Sequence, residues 1–545
     1  MTYRESSGRY LGVVVGGSMT RGVDVRLSPD CPVEEMALGQ HVVIQGQSRR
    51  FYGVITDIAL EWSDDSIRAN PPDTSNPLIA GVVATSAAYA MLRVLPMLAI
   101  EGEFAMLDGP APARTVPPHF APVRLASEED VQVVFGAEDS RHFWVGNPLD
   151  METRVCLDLE EFVTRSNGVF GKSGTGKSFL TRILLAGILQ KSAAVNLVFD
   201  MESEYGWMGT SEGTGMVKGI KQLFPSRVGV FSLDEDHSRR RGVSPDYLLR
   251  VGYNQIEPGD IDLLRENLGL SEVAADAAYS LARHYGQERW VRSFLDVSGP
   301  EMRELAADLN VNERALSTLH NRLSRFRRYD FMTERESDES VEEILRYLDR
   351  GIHVVLEFGR HRHDLSAYML VANLLTRRIH ERYVRRKEEA MGDASREPRP
   401  LVITIEEAHR FLSREVASQT TFGNIAREMR KYNVTLLVVD QRPSGIDEEV
   451  MSQLGTKLVC LLDNERDVDA VTAGTYGARE LRSVLSRLDS KQQSLVFGHS
   501  VPIPVVLRVR DYGTAESYRE LGFLEASEMR RQMERDADDL FGGRD

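Results

Sequence analysis

Residues 164–190 read TRSNGVFGKSGTGKSFLTRILLAGILQ. Inside this stretch Gly171, Lys172, Ser173, Gly174, Thr175, Gly176, Lys177 and Ser178 match the pattern G-x-x-x-x-G-K-[ST] in full. The residue types follow from the work such a loop does. Glycines let successive backbone N–H groups converge on a triphosphate, and the N-terminus of the next helix adds a favourable dipole. Lys177 reaches the β- and γ-phosphates as a point charge, and the Ser178 hydroxyl ligates Mg²⁺. A short apolar strand (GVFG) leads in and a helix with apolar periodicity (FLTRILLAGILQ) leads out, the context that separates a phosphate loop from a chance glycine-rich turn. The stretch therefore predicts nucleotide binding on an α/β fold.

Outward from the loop, apolar runs of five to seven residues alternate with helical stretches. They include NLVFD (196–200), VGVFS (228–232), HVVLEF (353–358), LVITI (401–405), TLLVVD (435–440), KLVCLL (457–462) and SLVFG (494–498). Near-continuous Val, Leu and Ile runs are expected of strands buried on both faces of a parallel sheet. Residues 242–350 interrupt the alternation. DYLLRVGYN, IDLLRENLGL, VAADAAYSLARHYG, ERALSTLHNRLSRFRRY and SVEEILRYLDR carry apolar residues at helical spacing and predict a helical insertion. Residues 1–140 read differently again. LGVVVGG (11–17), GVDVRLSP (22–29), GQHVVIQG (39–46) and RRFYGVITDIAL (49–60) are β-branched runs punctuated by Gly, Ser and Pro, as in a small barrel or sandwich. VPPHFAPV (116–123) reads as a linker or edge segment. The expected organisation is a β-barrel at 1–140, the first part of the core at 141–241, the insertion at 242–350, the second part of the core at 351–510 and an acidic helical tail at 511–545.

Two further strand ends carry candidate chemistry. LVITIEEAH (401–409) ends in Glu406 and Glu407. In a nucleotide-hydrolysing site the first carboxylate of such a pair holds the Mg²⁺ shell and the second polarises the attacking water. Glu406 stands where Asp is more usual. Glutamates in a first helical turn are also common without chemistry. TLLVVDQRPS (435–444) ends near Gln441, a candidate sensor of the γ-phosphate or an ordinary turn residue. Between them, NIAREMRKYN (424–433) places Arg427 and Arg430 three apart on one helix face. Either could stabilise charge in a neighbouring subunit's site, or simply be solvated.

Bulk composition sets limits. The chain has 545 residues, 66 Lys+Arg and 82 Asp+Glu, so its net charge of −16 argues against a protein that coats nucleic acid with its outer surface. Basic residues are nonetheless clustered. Arg239, Arg240 and Arg241 sit in a polar segment expected to be a loop, and are the preferred candidates for a nucleic-acid contact. Arg322, Arg325, Arg327 and Arg328 form a second group, and 377–387 a third, each also readable as a solvated helix face. The three cysteines are far apart, which fits no disulfide framework or zinc ribbon and suits a reducing cytoplasm. MTYRESSGRY has no apolar run behind a basic start. Leu78–Ile100 is long enough to span a bilayer, but Arg93 and Pro96 interrupt it, so a buried strand-plus-helix is expected and no membrane.

The order of these motifs resembles the HerA family of hexameric ATPases, within the HerA–FtsK superfamily of DNA pumps. EEAHRF, REMRKYN and QRPS in that order carry the resemblance most specifically, and it extends over most of the chain. It implies an N-terminal barrel capping a homo-hexameric ring. ATP would be hydrolysed with Mg²⁺ between subunits, and double-stranded DNA moved through a central pore. By motif it makes Lys177 and Ser178 nucleotide and metal residues, Glu407 the base, Gln441 the sensor and Arg430 the trans finger, with Arg427 next. It also makes Arg165 a contact to a neighbour's nucleotide. FDMESEYG departs from the family's usual Asp-Pro-His-Gly and leaves the roles of Asp200 and Glu204 open. The implied partner is a NurA-like nuclease in DNA end processing, or a nuclease or NAD-consuming effector in anti-phage defence. A nucleotide-stabilised scaffold ring, and a secretion or conjugation ATPase, are the competing readings.

Overall fold

The computed structural model describes residues 8–523 apart from 74, 77–81, 84–86, 102–109, 212–214, 335–338, 394–395, 416, 418–419, 476 and 490–491. The tail beyond residue 523 lies outside the described residues.

The N-terminal strands close into a barrel. Gly22–Leu27, Tyr10–Ser18, Pro122–Leu125, His41–Gln45, Arg49–Trp62 and Ala88–Glu101 follow one another around it, and Gly22–Leu27 pairs with Ala88–Glu101 to complete the circuit. Closure leaves none of these six strands as an open edge. Leu11, Val25, Val42, Ile44, Ile55, Leu92, Val94 and Val123 fill the interior. Two expectations change here. Residues 116–123 are not simply a linker, because Pro122 and Val123 begin a barrel strand held between two others. Of the long apolar stretch, residues 88–100 belong to one barrel strand, with Arg93 turned outward onto Asp24. Among the described residues no helix is long and apolar enough to cross a membrane.

The core is one twelve-stranded sheet. Its order runs Tyr247–Leu248, Val228–Ser232, His353–Glu357, Val195–Asp200, Leu401–Glu406, Val434–Asp440, Asn167–Phe170, Thr456–Val459, Gln493–Gly498, Val505–Val509, His142–Pro148, Val155–Asp158. The first eight strands are parallel, as their doubly buried sequences require, and helices cover both faces. The last four are antiparallel, so the sheet is mixed rather than parallel throughout. The phosphate-loop strand Asn167–Phe170 lies near the middle. Its loop opens onto helix Lys177–Lys191, which is buried on nearly every side from Leu180 to Leu189 rather than amphipathic. The reason is a second cover. Phe143 of the antiparallel half packs so close to Gly187 that a Cβ there would lie 2.6 Å from its ring. From the first edge strand the chain departs into six short helices between Pro258 and Leu323, then returns through Met332–Thr333 and helix Glu339–Asp349.

Candidate active site

The strand order decides what meets at the phosphate loop. Strand Val434–Asp440 separates the loop strand from Leu401–Glu406, so its end is wedged between the loop and the acidic pair. Gln441, the next residue, bridges them: its Nε2 donates to Glu407 Oε1 at 2.6 Å, and its Oε1 accepts from Ser173 Oγ at 2.7 Å. Gly174 and Gly176 take φ of +79° and +94°, a region open to glycine, and this lets the loop curl onto the helix. The loop is tied down by Gly171 N–H to the Asp440 carbonyl and Lys172 N–H to the Leu461 carbonyl. Thus Lys172, Ser173, Gly174, Thr175, Gly176, Lys177 and Ser178 border one continuous space, and Gly171 anchors the loop behind it.

That space is a cleft of about 1020 Å³ lined by residues 172–179, Glu406, Glu407 and Gln441. Arg182, Arg362, Arg410, Arg510 and Tyr512 also line it. Burial depresses the Lys177 ammonium, opposed by the negative charge of Asp440, Glu407 and Glu406. Glu407 itself sits at φ +49°, a strained conformation for a non-glycine residue and a usual companion of functional sites.

Glu406 is held differently. Tyr205, fully buried, donates its hydroxyl to Glu406 Oε1 at 2.7 Å. Burial, reinforced by Asp200, pushes the Glu406 carboxyl up to about 8. A bound cation favours the ionised form. Asp200 does not reach the cleft. Its carboxylate accepts the backbone N–H groups of Glu204, Tyr205 and Gly206, which shapes the turn that aims Tyr205, and burial pushes it up to about 6. Glu204 does line the cleft. Among the described residues no group of three or more His, Cys, Asp or Glu side chains forms a metal cage. Mg²⁺ is typically held by one or two carboxylates with phosphates and water, so Ser178 and Glu406 as a hydroxyl and a carboxylate beside the phosphate loop fit it.

Asp440 and His409 escaped the sequence reading. The fully buried Asp440 carboxylate accepts His409 N–H at 2.7 Å, His409 Nδ1–H at 3.0 Å and Arg442 N–H at 2.6 Å. Burial alone would raise its pKa, but the His409 contact holds it below the ordinary carboxylate range; the same contact raises His409. The pair clamps the turn after Glu407 to strand Val434–Asp440. Tyr205, Arg182 and Arg410 were likewise missed. Arg182 is buried, donates to the Glu204 carbonyl at 2.8 Å and lies over the rings of Phe179 and Tyr512.

The candidate trans arginines lie elsewhere. Arg430 is exposed in the 3₁₀ turn Met429–Tyr432, at the start of strand Val434–Asp440. Arg165 precedes the neighbouring strand Asn167–Phe170, at the same end. At ~3.3 Å per residue, the seven-residue strand puts Arg430 roughly 20 Å from the phosphate loop of its own chain. Arg427 does not share a continuous helix face with Arg430, because helix Thr421–Glu428 tightens to 3₁₀ between them. It is also engaged, donating to the carbonyls of Ala417 and Gly423 and facing Glu449.

The 239–241 segment is not the expected loop. Asp234 caps a short helix, Glu235–Arg240, through His237 N–H. Arg239 pairs along it with Glu235 and Asp236, and Arg240 donates to the Asp236 carbonyl. Arg241 turns inward to Glu357 at 3.2 Å and the Ser203 carbonyl at 2.9 Å, so only Arg239 and Arg240 of the cluster face solvent.

Residues 143–379 match the family model described as the central domain of helicase HerA. The DNA double-strand break repair helicase HerA of Sulfurisphaera tokodaii is 24% identical over 92% of both chains. That of Pyrococcus furiosus is 23% identical over 72% of this chain and 73% of its own. Among solved structures, VirB4 of Thermoanaerobacter pseudethanolicus aligns over 70% of this chain and 99% of its own, with 13% identity and a TM-score of 0.47. With an intact phosphate loop, a carboxylate pair and a bridging glutamine around one cleft, this chain is an ATPase whose central part matches the HerA family model and which is similar to HerA helicases over most of its length.

Proposed function

We propose that the protein is an ATP-driven double-stranded DNA translocase that works as a homo-hexameric ring beside a partner nuclease in DNA end processing. The observation that carries this reading is the separation of parts. Lys177, Ser178, Glu406, Glu407 and Gln441 converge on one cleft, whereas Arg430 and Arg165 stand at the opposite end of the same sheet. Arginines placed so far from their own nucleotide can serve hydrolysis only in a neighbouring copy, and a head-to-tail relation of that kind builds a ring when its rotation closes.

In this reading the loop binds the β- and γ-phosphates of ATP through its N–H groups and Lys177, and Ser178 and Glu406 hold Mg²⁺. Mg²⁺ held there would supply positive charge beside the phosphates. Glu407 takes the proton of the attacking water, and Gln441, already bonded to Glu407 and Ser173, reports loss of the γ-phosphate to the loop. Arg430 supplies positive charge to the neighbour's transition state, with Arg165 beside it. Relatives bearing the HerA name are called DNA double-strand break repair helicases, which supports DNA as the substrate. Contacts to phosphate alone, from Arg239 and Arg240, suit movement over any sequence.

The test is ATP turnover with and without long duplex DNA. The expected result is DNA-stimulated turnover in the native protein, abolished in Glu407→Gln. Turnover indifferent to DNA, or unchanged in Glu407→Gln, contradicts the proposal.

A further inference from the structure

Helices Gly299–Asp308 and Glu313–Leu323 are joined by a turn that spans only residues 309–312. Asn310 takes φ +53°, and Val311 N–H returns to the Ala306 carbonyl. The Asn312 side chain then caps the second helix, accepting from Arg314 N–H at 2.9 Å and Ala315 N–H at 3.3 Å. Leu305 and Ala306 from the first helix and Leu316, Leu319 and Leu323 from the second are buried, and helix Glu272–Tyr285 packs across the second as a third member. A four-residue turn with one left-handed residue, between two helices sharing a small core, has the connectivity that helix-turn-helix units share with αα-hairpins.

Many such units are only bundles; the outward face distinguishes this one. Arg314, Ser317, Thr318 and Asn321, spaced i, i+3, i+4, i+7, lie on the side away from Leu316, Leu319 and Leu323. Residues 313–328 contain five arginines and one acid in a chain of net charge −16. That acid, Glu313, faces Arg303. Arg327 is spent on Asp296 and the Leu295 carbonyl, but among the described residues the guanidinium groups of Arg314, Arg325 and Arg328 make no hydrogen bond or ion pair. All three are exposed. Unpaired arginines flanking hydroxyl and amide side chains complement a polyanion whose interior edges offer donors and acceptors.

We propose that this insertion is a helix-turn-helix module for duplex DNA. Helix Glu313–Leu323 enters the major groove, with Arg314, Ser317, Thr318 and Asn321 toward base edges and Arg325 and Arg328 on phosphates. The site is separate from the nucleotide cleft, and it goes beyond the motor reading without depending on it.

The test uses the full chain without nucleotide, binding a labelled 30-bp duplex of mixed sequence across a salt series. Arg325→Glu with Arg328→Glu is expected to weaken binding at least tenfold and to lower the log–log salt slope by about 2, near 0.9 per lost phosphate contact. Selection from a random duplex library is expected to enrich a sequence with the native chain and not with Asn321→Ala. Thermal melts of these surface variants check that they fold, and Arg325→Gln with Arg328→Gln repeats the binding test more gently. Unchanged affinity and slope in both double variants overturns the proposal, as does a selection without an Asn321-dependent sequence. Loss of a protein partner with duplex affinity intact assigns the face to protein and also overturns it. DNA-stimulated ATP turnover, read in the same proteins, keeps the two readings apart: its absence in the native chain sinks the motor and leaves this module standing.

Discussion

Asp440→Asn tests the clamp behind the acidic pair. The native carboxylate has two acceptor oxygens and three N–H donors, two from His409 and one from Arg442. Asparagine keeps the shape but must turn its NH₂ toward one of these donors. If it faces Arg442, a 2.6 Å hydrogen bond becomes a donor–donor contact; if it faces His409, the backbone N–H bond is lost and the ring must give up its Nδ1 proton to keep the other. Hydrogen bonds to charged groups are worth ~1.5–3 kcal/mol each, and the site is closed to water that could substitute. The expected cost is about 2–4 kcal/mol, lowering the melting temperature of the core by about 5 °C. Turnover should fall with it, because the Asp440 backbone also anchors Gly171, and His409 lies 3.9 Å from Glu407. Thermal denaturation followed by circular dichroism, with ATP turnover on the same samples, reads both effects. A variant that melts within about 1 °C of the native protein and turns over normally refutes the clamp.

Other substitutions separate the remaining roles. Lys177→Ala should abolish nucleotide binding in a titration while leaving the melting curve of the nucleotide-free protein nearly unchanged; retained affinity contradicts the phosphate-loop assignment. Arg430→Ala should bind ATP almost normally yet lose turnover by ~10³-fold or more, the range of arginine fingers. Weakened binding with normal turnover points to another residue. His353 is buried, accepts Asn196 N–H at Nδ1 and is held down to about 3 by burial, with Arg227 adding to the effect. Between pH 6.5 and 3 the unfolded chain therefore binds a proton the folded chain refuses, so stability falls as pH falls through that window. The loss attributable to this ring is about 2 kcal/mol at pH 5. Urea unfolding at pH 7 and pH 5 should show a gap smaller by that amount in His353→Gln, and an equal gap rules the ring out.

Much of the core could be read from sequence because its parallel strands are apolar along their whole length and its loop has a fixed pattern. The antiparallel half was harder. KLVCLL and SLVFG look alike as sequence, and only pairing with Gln493–Gly498 and Val505–Val509 shows where the direction reverses. Glu407 and Gln441 were legible as strand ends. Asp440 was not, because its partner His409 lies 31 residues away on another strand's turn. Tyr205 was hidden by distance too, some 200 residues from Glu406. The 239–241 segment looked like a loop because Arg-Arg-Arg-Gly reads as polar. The acidic turn and the Asp234 cap, which make it a helix, sit just upstream. ERALSTLHNRLSRFRRY (313–329) has helical spacing, but the left-handed Asn310 that joins its helix to the one before has no signature as definite as a glycine.

The central claim is that each cleft is completed by a neighbouring copy. Mixing Lys177→Ala and Arg430→Ala chains measures it most directly. Neither should hydrolyse ATP alone. In mixed assemblies some interfaces join an intact Lys177 cleft to an intact Arg430, so turnover should reappear on mixing, in proportion to such interfaces. A mixture as inactive as its components, under conditions where the two chains demonstrably co-assemble, would contradict the account.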